Sequence, residues 1–385
     1  MKTAASSLHS FFPFHNKSAV SIAVTFAFMG AMYGSWIARL PDIQNRLNLS
    51  ESEVGLALMG LAVGSLLVTP LTVFVLRALG TGNATFCSTL FLCCAFTLPA
   101  LATGKWMLAA LLCIAGMSMS LLNISMNSAA GALEKQDNVN ILSSCHGMFS
   151  VGLFVGASSA GWLSNLGFSF FWHIVIAAAI VALIAFFIRP IIVKMPDAES
   201  NNAGFVFPSK AVFGLGIICS CFTIGEGAIA DWSAIYLRDV VGSEPFVSSL
   251  GLAIFAIGMA AGRFGGDKIR SLFSSKKILI FGGIITSIGL LIVALFPVEY
   301  VVIGSLLVAG LGLSSIVPVL YSESTKVPGV QANIGLASVA TFSTVGFMLG
   351  PPIIGFIGEA FGLIVGFGFL AFLAFFGSSL VFFRK

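Results

Sequence analysis

The 385-residue chain is 58% hydrophobic and only 9% Asp, Glu, Lys or Arg, against about 25% charged residues in an ordinary soluble domain. With 37 Phe, 42 Gly and a mean hydropathy of +1.04, that balance excludes a water-soluble fold. It also excludes reading the formal charge of +4 as a nucleic-acid signal; the charge has to be read by side of a membrane.

The first residues, MKTAASSLHSFFPFHNKSAV, precede an apolar run and have the outline of a signal peptide. Later segments cross the membrane in any case, so the run is read as the first helix. A membrane helix needs about 20 mostly apolar residues, and residues 18–37, 54–76, 84–103, 106–130, 142–163 and 169–188 qualify. The polar interval RPIIVKMPDAESNNAGFVFPSK follows, from Arg189 to Lys210. Six more spans come after it, at 211–236, 247–266, 277–296, 300–322, 333–356 and 361–383. The expectation is an all-α polytopic membrane protein with twelve transmembrane helices in two six-helix bundles. Residues 1–188 and 210–385 form the bundles, and 189–209 is the central loop.

An even number of crossings puts both termini on one side. Of the 19 Lys and Arg, only Arg39, Arg46, Lys105 and Arg238 fall in the opposite loops, so the positive-inside rule makes the termini and the central loop cytoplasmic. The halves also echo each other. Each opens with a long helix ending in an aromatic and charged stretch, WIARLPDIQ and DWSAIYLRD. A serine-bearing loop follows in each, and the serine suits a helix N-cap. Pseudo-symmetric halves place a ligand cavity between them.

Most acidic residues lie in loops or near helix ends; Glu226 and Asp231 stand inside the seventh span. Ionisable groups in a membrane segment are expensive unless they face a bundle interior or a wet cavity, which makes them candidate functional groups. Glu226 reads either as a proton-carrying or solute-binding carboxylate, or as a structural one pinned between helices by a base such as Arg39. Asp231 is a second proton-coupling candidate and suits a gate, with Trp232 and Tyr236, four apart, as its aromatic lining; these two and Trp36 are also candidate residues of the substrate cavity. In the fourth span Asn123 and Asn127 share a helix face, which suits either a cavity for hydroxyl-rich ligands or interhelical bonds. His146, at the start of the fifth span, is a proton-relay candidate or a packing histidine. Gly152-x-x-x-Gly156 allows close helix approach. Gly346, Gly350, Pro351, Pro352 and Gly355 kink or thin the eleventh span, for motion or for packing.

The seven cysteines sit in apolar runs and form no ligand cluster, so no metal and no cofactor is implied. No hydrolytic, redox or nucleotide-binding motif is present, which argues against an enzyme. No extramembrane segment exceeds about 22 residues, too short for an ATPase domain of its own.

The phrases WIARLPDIQ with LSESEVGLALMGLAVGSL, MNSAAGALEK with ILSSCHGMFSVG, and EGAIADWSAIYL running into GMAAGRFGGDKI carry a family likeness. The chain resembles a major facilitator superfamily transporter over essentially its full length. Within that superfamily it is similar to the fucose-permease-like group, and among these to the bacterial YbjJ-type inner-membrane proteins. The resemblance implies a cytoplasmic gate motif after the second and eighth helices. In FVLRALGTGNATF the first copy keeps Arg77 and Gly80 but has lost its acidic residue. GRFGGDKIRS keeps Arg263, Asp267 and Lys268. The resemblance also implies an acidic residue in the fourth helix, where this chain has Asn123. That shifts proton coupling toward Glu226.

The resulting expectation is a monomeric secondary transporter in the bacterial inner membrane, working by alternating access. It would move a small polar solute, sugar-like by resemblance, with protons as partners. A multidrug efflux pump, favoured by 12% aromatics and 12 Met, and a non-transporting membrane sensor are the alternatives.

Overall fold

The computed structural model describes residues 16–137, 141–197 and 210–384; the side chains of Asp267 and Asn333 lie outside that description. Among the described residues all regular structure is helical. The N-terminal half holds α1 (Lys17–Ile37), α2 (Leu40–Leu47), α3 (Glu51–Leu79), α4 (Thr81–Thr97), α5 (Lys105–Asp137), α6 (Leu142–Asn165) and α7 (Phe170–Ile192). The C-terminal half holds α8 (Phe213–Tyr236), α9 (Pro245–Phe264), α10 (Gly266–Leu272), α11 (Ser275–Leu295), α12 (Glu299–Leu313), α13 (Ile316–Ser324), α14 (Ala332–Phe361) and α15 (Leu363–Phe383). Apart from the short α2 and α10, these helices make twelve crossings, with α12 and α13 sharing one.

Local chemistry explains the departures from twelve unbroken spans. The tenth crossing breaks at Ser314–Ser315 because Pro318, three residues into α13, has no N–H to offer the Ser314 carbonyl. The amphipathic α2 starts with a proline in its first turn and ends at Asn48 in the left-handed conformation (φ 49°). Ser50 caps α3 in a full capping box with Glu53. In the second half the equivalent N-cap is Glu244, followed by Pro245, rather than a serine.

Eleven of the described helical segments are long and apolar enough to cross a membrane. The twelfth crossing, α6, falls short on apolarity because six of its 24 residues are Ser and four are Gly. Its position accounts for that composition. It packs on α1 on one side and on α9 of the other half on the other, so it faces protein more than lipid.

The packing repeats between halves. α1 lies on α6 as α8 lies on α14, α3 on α5 as α9 on α12, and α4 on α7 as α11 on α15. Glycine sets how closely the paired backbones approach. A Cβ on Gly30 would stand 2.0 Å from the Phe149 carbonyl oxygen, and one on Gly156 2.2 Å from that of Ala31. Gly152 thus serves the close approach its spacing implied, 2.1 Å from the Ala27 oxygen. In the second half Gly258 and Gly310 sink reciprocally into α12 and α9, each 2.4 Å from a carbonyl oxygen. With no hydrophobic drive between helices in lipid, such contact is the main source of association.

The halves meet along two further pairs, α6 with α9 and α3 with α14. The first touches near both ends, at Gly147 against the Phe264 ring and at Gly161 against Ser249. The second is drawn together at the end away from the termini, where Gly55 meets the Pro351 oxygen and Gly355 the Glu51 oxygen. That far end also carries the exposed aromatics Trp106, Trp162, Trp172 and Tyr300, the composition of a membrane–water interface.

The glycine seam between α3 and α5 is directly testable. A Cβ on Gly64 would lie 1.8 Å from the Cys113 oxygen, whereas one on Gly104 meets nothing within 4 Å. Gly64→Val is expected to lower stability by about 1–3 kcal/mol through overpacking. In detergent that reads as a Tm fall of several degrees, while Gly104→Ala leaves Tm unchanged.

Candidate functional site

The α8 helix carries the polar groups of the seam. Glu226 lies thirteen residues beyond Phe213, about 20 Å along a helix of about 36 Å, just past its middle. Its partner is Arg263 from the last turn of α9, whose Nη2 donates to the Glu226 carboxylate at 3.1 Å. Both side chains are mostly buried, 15% and 17% exposed. The other guanidinium nitrogen, Nη1, donates across to α6, to Ser150 Oγ at 2.8 Å and more weakly to the His146 carbonyl at 3.5 Å. One side chain therefore neutralises a carboxylate in its own half and ties itself to the other half. Arg39, the sequence-level candidate for pairing with Glu226, bonds Asp42 and the Phe168 carbonyl instead.

His146 sits beside this cluster with its ring edge-on to Phe26, centroids 5.2 Å apart. Five residues after Glu226, Asp231 is 4% exposed and accepts a 2.9 Å hydrogen bond from the Tyr33 hydroxyl of α1. Asp231 is thus a second polar link between halves. Its aromatic neighbour is Tyr33, which sequence reasoning missed because the two residues are 198 positions apart. The one available signal was a tyrosine inside the first apolar span, a polar hydroxyl that has to find an acceptor when buried.

The expected aromatic lining is placed differently. Tyr236 is wholly buried and turned away from α1; its hydroxyl donates to the Val293 carbonyl of α11 at 2.7 Å and its ring lies against Phe367 of α15. Trp232 and Trp36 are also wholly buried, and Trp232 packs where a Cβ on Gly355 would reach it at 3.2 Å. Asn123 and Asn127 are half-buried on α5. The Asn127 amide donates to the Asn123 carbonyl at 2.7 Å, within the helix.

Toward the far end the seam is latched twice more. Glu359, near the end of α14, accepts from Ser50 Oγ at 2.7 Å and from the Ser52 N–H at 3.0 Å. Beyond α8, Arg238 pairs with Asp239 and donates to the Pro41 carbonyl and Gln44 Oε1, each at 2.7 Å. Of the gate residues named from sequence, Arg77 and Lys268 are exposed at the terminus end and the Asp267 side chain lies outside the described residues. Arg263 is the one that turns inward. Beside the first motif, Asp197 accepts from the Thr81 N–H at the start of α4 at 2.7 Å.

An arginine that neutralises a buried carboxylate leaves an uncompensated charge when it is removed. Arg263→Met is expected to destabilise by on the order of 3 kcal/mol, and Glu226→Gln/Arg263→Met to recover more than half of that loss. Thermal unfolding of the single and double variants in detergent checks the coupling.

The comparisons with known proteins bear on the whole chain. The family model for the Major Facilitator Superfamily matches residues 20–329. An uncharacterized MFS-type transporter of Yersinia pestis is 29% identical over 354 residues, 92% of each chain. In fold the chain is similar to a mutant form of the nucleoside transporter NupG, with a TM-score of 0.78, 12% identity, and 95% and 100% of the two chains covered. It is also similar to a bacterial homolog of the human lysosomal transporter Spinster in an inward-facing, occupied conformation, with a TM-score of 0.71, 14% identity and 96% of each chain covered. The sequence match, the twelve helical crossings and the repeated packing of the halves agree, and the chain belongs to the Major Facilitator Superfamily, a family of membrane transporters rather than enzymes.

Proposed function

We propose that the chain moves a small polar solute, sugar-like in character, by proton-coupled alternating access. The carrying observation is the Glu226–Arg263–Ser150 cluster, an ion pair inside membrane-spanning helices of one half that is bonded to the other half. A solute that hydrogen-bonds Arg263 and Ser150 together is held by both halves, so its occupancy favours one arrangement of the seam over another. Glu226, Asp231 and His146 are the ionisable groups along this seam, and Asn123 with Asn127 supplies amides of the kind that recognise hydroxyls. The resemblance to the fucose-permease-like group supports the sugar-like assignment.

In this reading residues 1–188 and 210–385 rock against each other about the central site, with both termini cytoplasmic in a bacterial inner membrane. The basic residues support that orientation. Those of the far end are committed within the protein: Arg39 to Asp42, Arg46 to the Ala100 and Ala102 carbonyls, Lys105 to Glu53, and Arg238 to Asp239 and α2. At the terminus end Lys17, Lys268, Arg270 and Lys277 are exposed, where they meet anionic lipid headgroups. The far-end bonds through Glu359 and Arg238 form the closed outer gate.

The test is a thermal-stability screen of the purified protein against sugars, polyols, amino acids, organic acids and hydrophobic cations. A ligand bound only by the folded state stabilises by about 2.7 kcal/mol at a hundredfold excess over Kd. The expected result is a sugar or polyol that raises Tm in the wild type and loses most of its effect in Glu226→Gln. Stabilisation by hydrophobic cations alone would sink the polar-solute reading in favour of efflux. Silence from every class would favour a non-transporting role.

A further inference from the structure

Two carboxylates are buried in the seam between halves, and their partners differ. Glu226 has the Arg263 guanidinium. Asp231 has a neutral phenol, Tyr33, from the opposite half. Among the described residues the elements packed on α8 bring no charge to Asp231; Lys17, at the start of α1, and Lys210, just before α8, lie at the terminus end. Arg263, the only charged residue of α9, is committed to Glu226. Glu359, the only one of α14, is held at the far end by Ser50 and Ser52, and α15 has none. On α2, Asp42 is paired with Arg39, and Arg46 is bonded to the Ala100 and Ala102 carbonyls. On α13, Glu323 takes bonds from Ser275 and Lys326 at the terminus end, where Tyr321 also lies. Beyond α8 itself Arg238 is paired with Asp239.

A carboxylate that is 4% exposed and bonded to one neutral donor is far from compensated as an anion. As a neutral acid it still accepts from Tyr33, and it gives up far less hydration on burial than the anion would. A parting of the halves at the far end would carry Tyr33 away with α1 and let water reach Asp231.

We propose that Asp231, bonded across the seam by Tyr33, exchanges its proton with far-side water while the far end is open and has to be protonated for that end to close. The proposal rests on the alternating-access reading and names its proton site. Glu226, paired with Arg263, serves solute and seam instead. The sign follows by linkage: the closed form holds the proton, so closure is favoured at low pH and lost as pH rises. One linked proton changes the open-to-closed ratio by up to about tenfold per pH unit.

The test reads the seam and needs no solute. Thr103 and Val298 are exposed at the far end, one in each half. Thr103→Cys and Val298→Cys, in a background without the native cysteines, carry spin labels for pulsed distance measurements in lipid nanodiscs. The wild type is expected to gain the longer-distance population between about pH 6 and about pH 8, by up to ~100-fold in the ratio over those two units. Asp231→Asn, a permanently neutral isostere, is expected to stay closed at both. Tyr33→Phe keeps the acid and is expected to keep the pH response from a more open baseline, so the idea stays testable if Asp231→Asn folds poorly. A response that survives in Asp231→Asn would overturn the proposal. So would one that vanishes in Glu226→Gln but not in Asp231→Asn, one lost in Tyr33→Phe, or a wild type indifferent to pH. The expected response combined with no hit in the solute screen would support the proton site and sink the transport reading alone.

Discussion

The guanidinium of Arg263 neutralises Glu226 inside helices where hydration is scarce, and at the same time it donates to Ser150 on the opposite half. Either bond alone would be unremarkable. Together they make the charge balance of the C-terminal half depend on where the N-terminal half stands. A buried ion pair contributes little net stability, because desolvation offsets most of the attraction. It is costly to disturb one member, however, so any movement at α6–α9 has to supply Arg263 with a replacement for Ser150. A polar solute and water are the natural candidates.

The helices around this cluster are arranged so that such movement is mechanically simple. Within each half, glycines bring backbones into contact at α1–α6, α3–α5, α8–α14 and α9–α12, and close packing of that kind resists internal deformation. Between halves fewer helix pairs meet, α6 with α9 and α3 with α14, and exchangeable polar bonds join them: Tyr33 to Asp231, Ser50 and Ser52 to Glu359, Arg238 to α2. Rigid bundles joined by exchangeable hydrogen bonds favour rocking over bending. The serine- and glycine-rich α6 belongs to both kinds of contact, and this double duty is why it alone among the twelve crossings lacks the apolarity of a lipid-facing helix.

Much of the plan was legible because the bilayer imposes it. Lipid leaves backbone groups no partner but each other, so each long apolar run has to be a helix, and most observed helix ends fall within a few residues of the spans read from composition, although α4 stops early at Thr97 and α5 runs on to Asp137. Glu226 and Asp231 stood out for the same reason, as charges without water. The short α2 did not, since eight residues cannot span a membrane and its place is set by bonds from Arg238 nearly 200 residues away. Tyr236 was misplaced because helical spacing says which residues share a face but not which neighbour that face meets. The neighbours turned out to be α11 and α15.

What the sequence determined by itself is what depends on local composition and period: a membrane protein, its helices, the division into two similar halves, and the pair of intramembrane carboxylates. Only the tertiary structure decided the partners. It assigned Arg263 rather than Arg39 to Glu226, Tyr33 to Asp231, and Asp197 to the start of α4. The physical reason is range. Burial of an apolar segment acts on each helix separately and leaves its mark in consecutive residues. A hydrogen bond or ion pair acts over about 3 Å between groups that the chain brings together only once all the helices are packed.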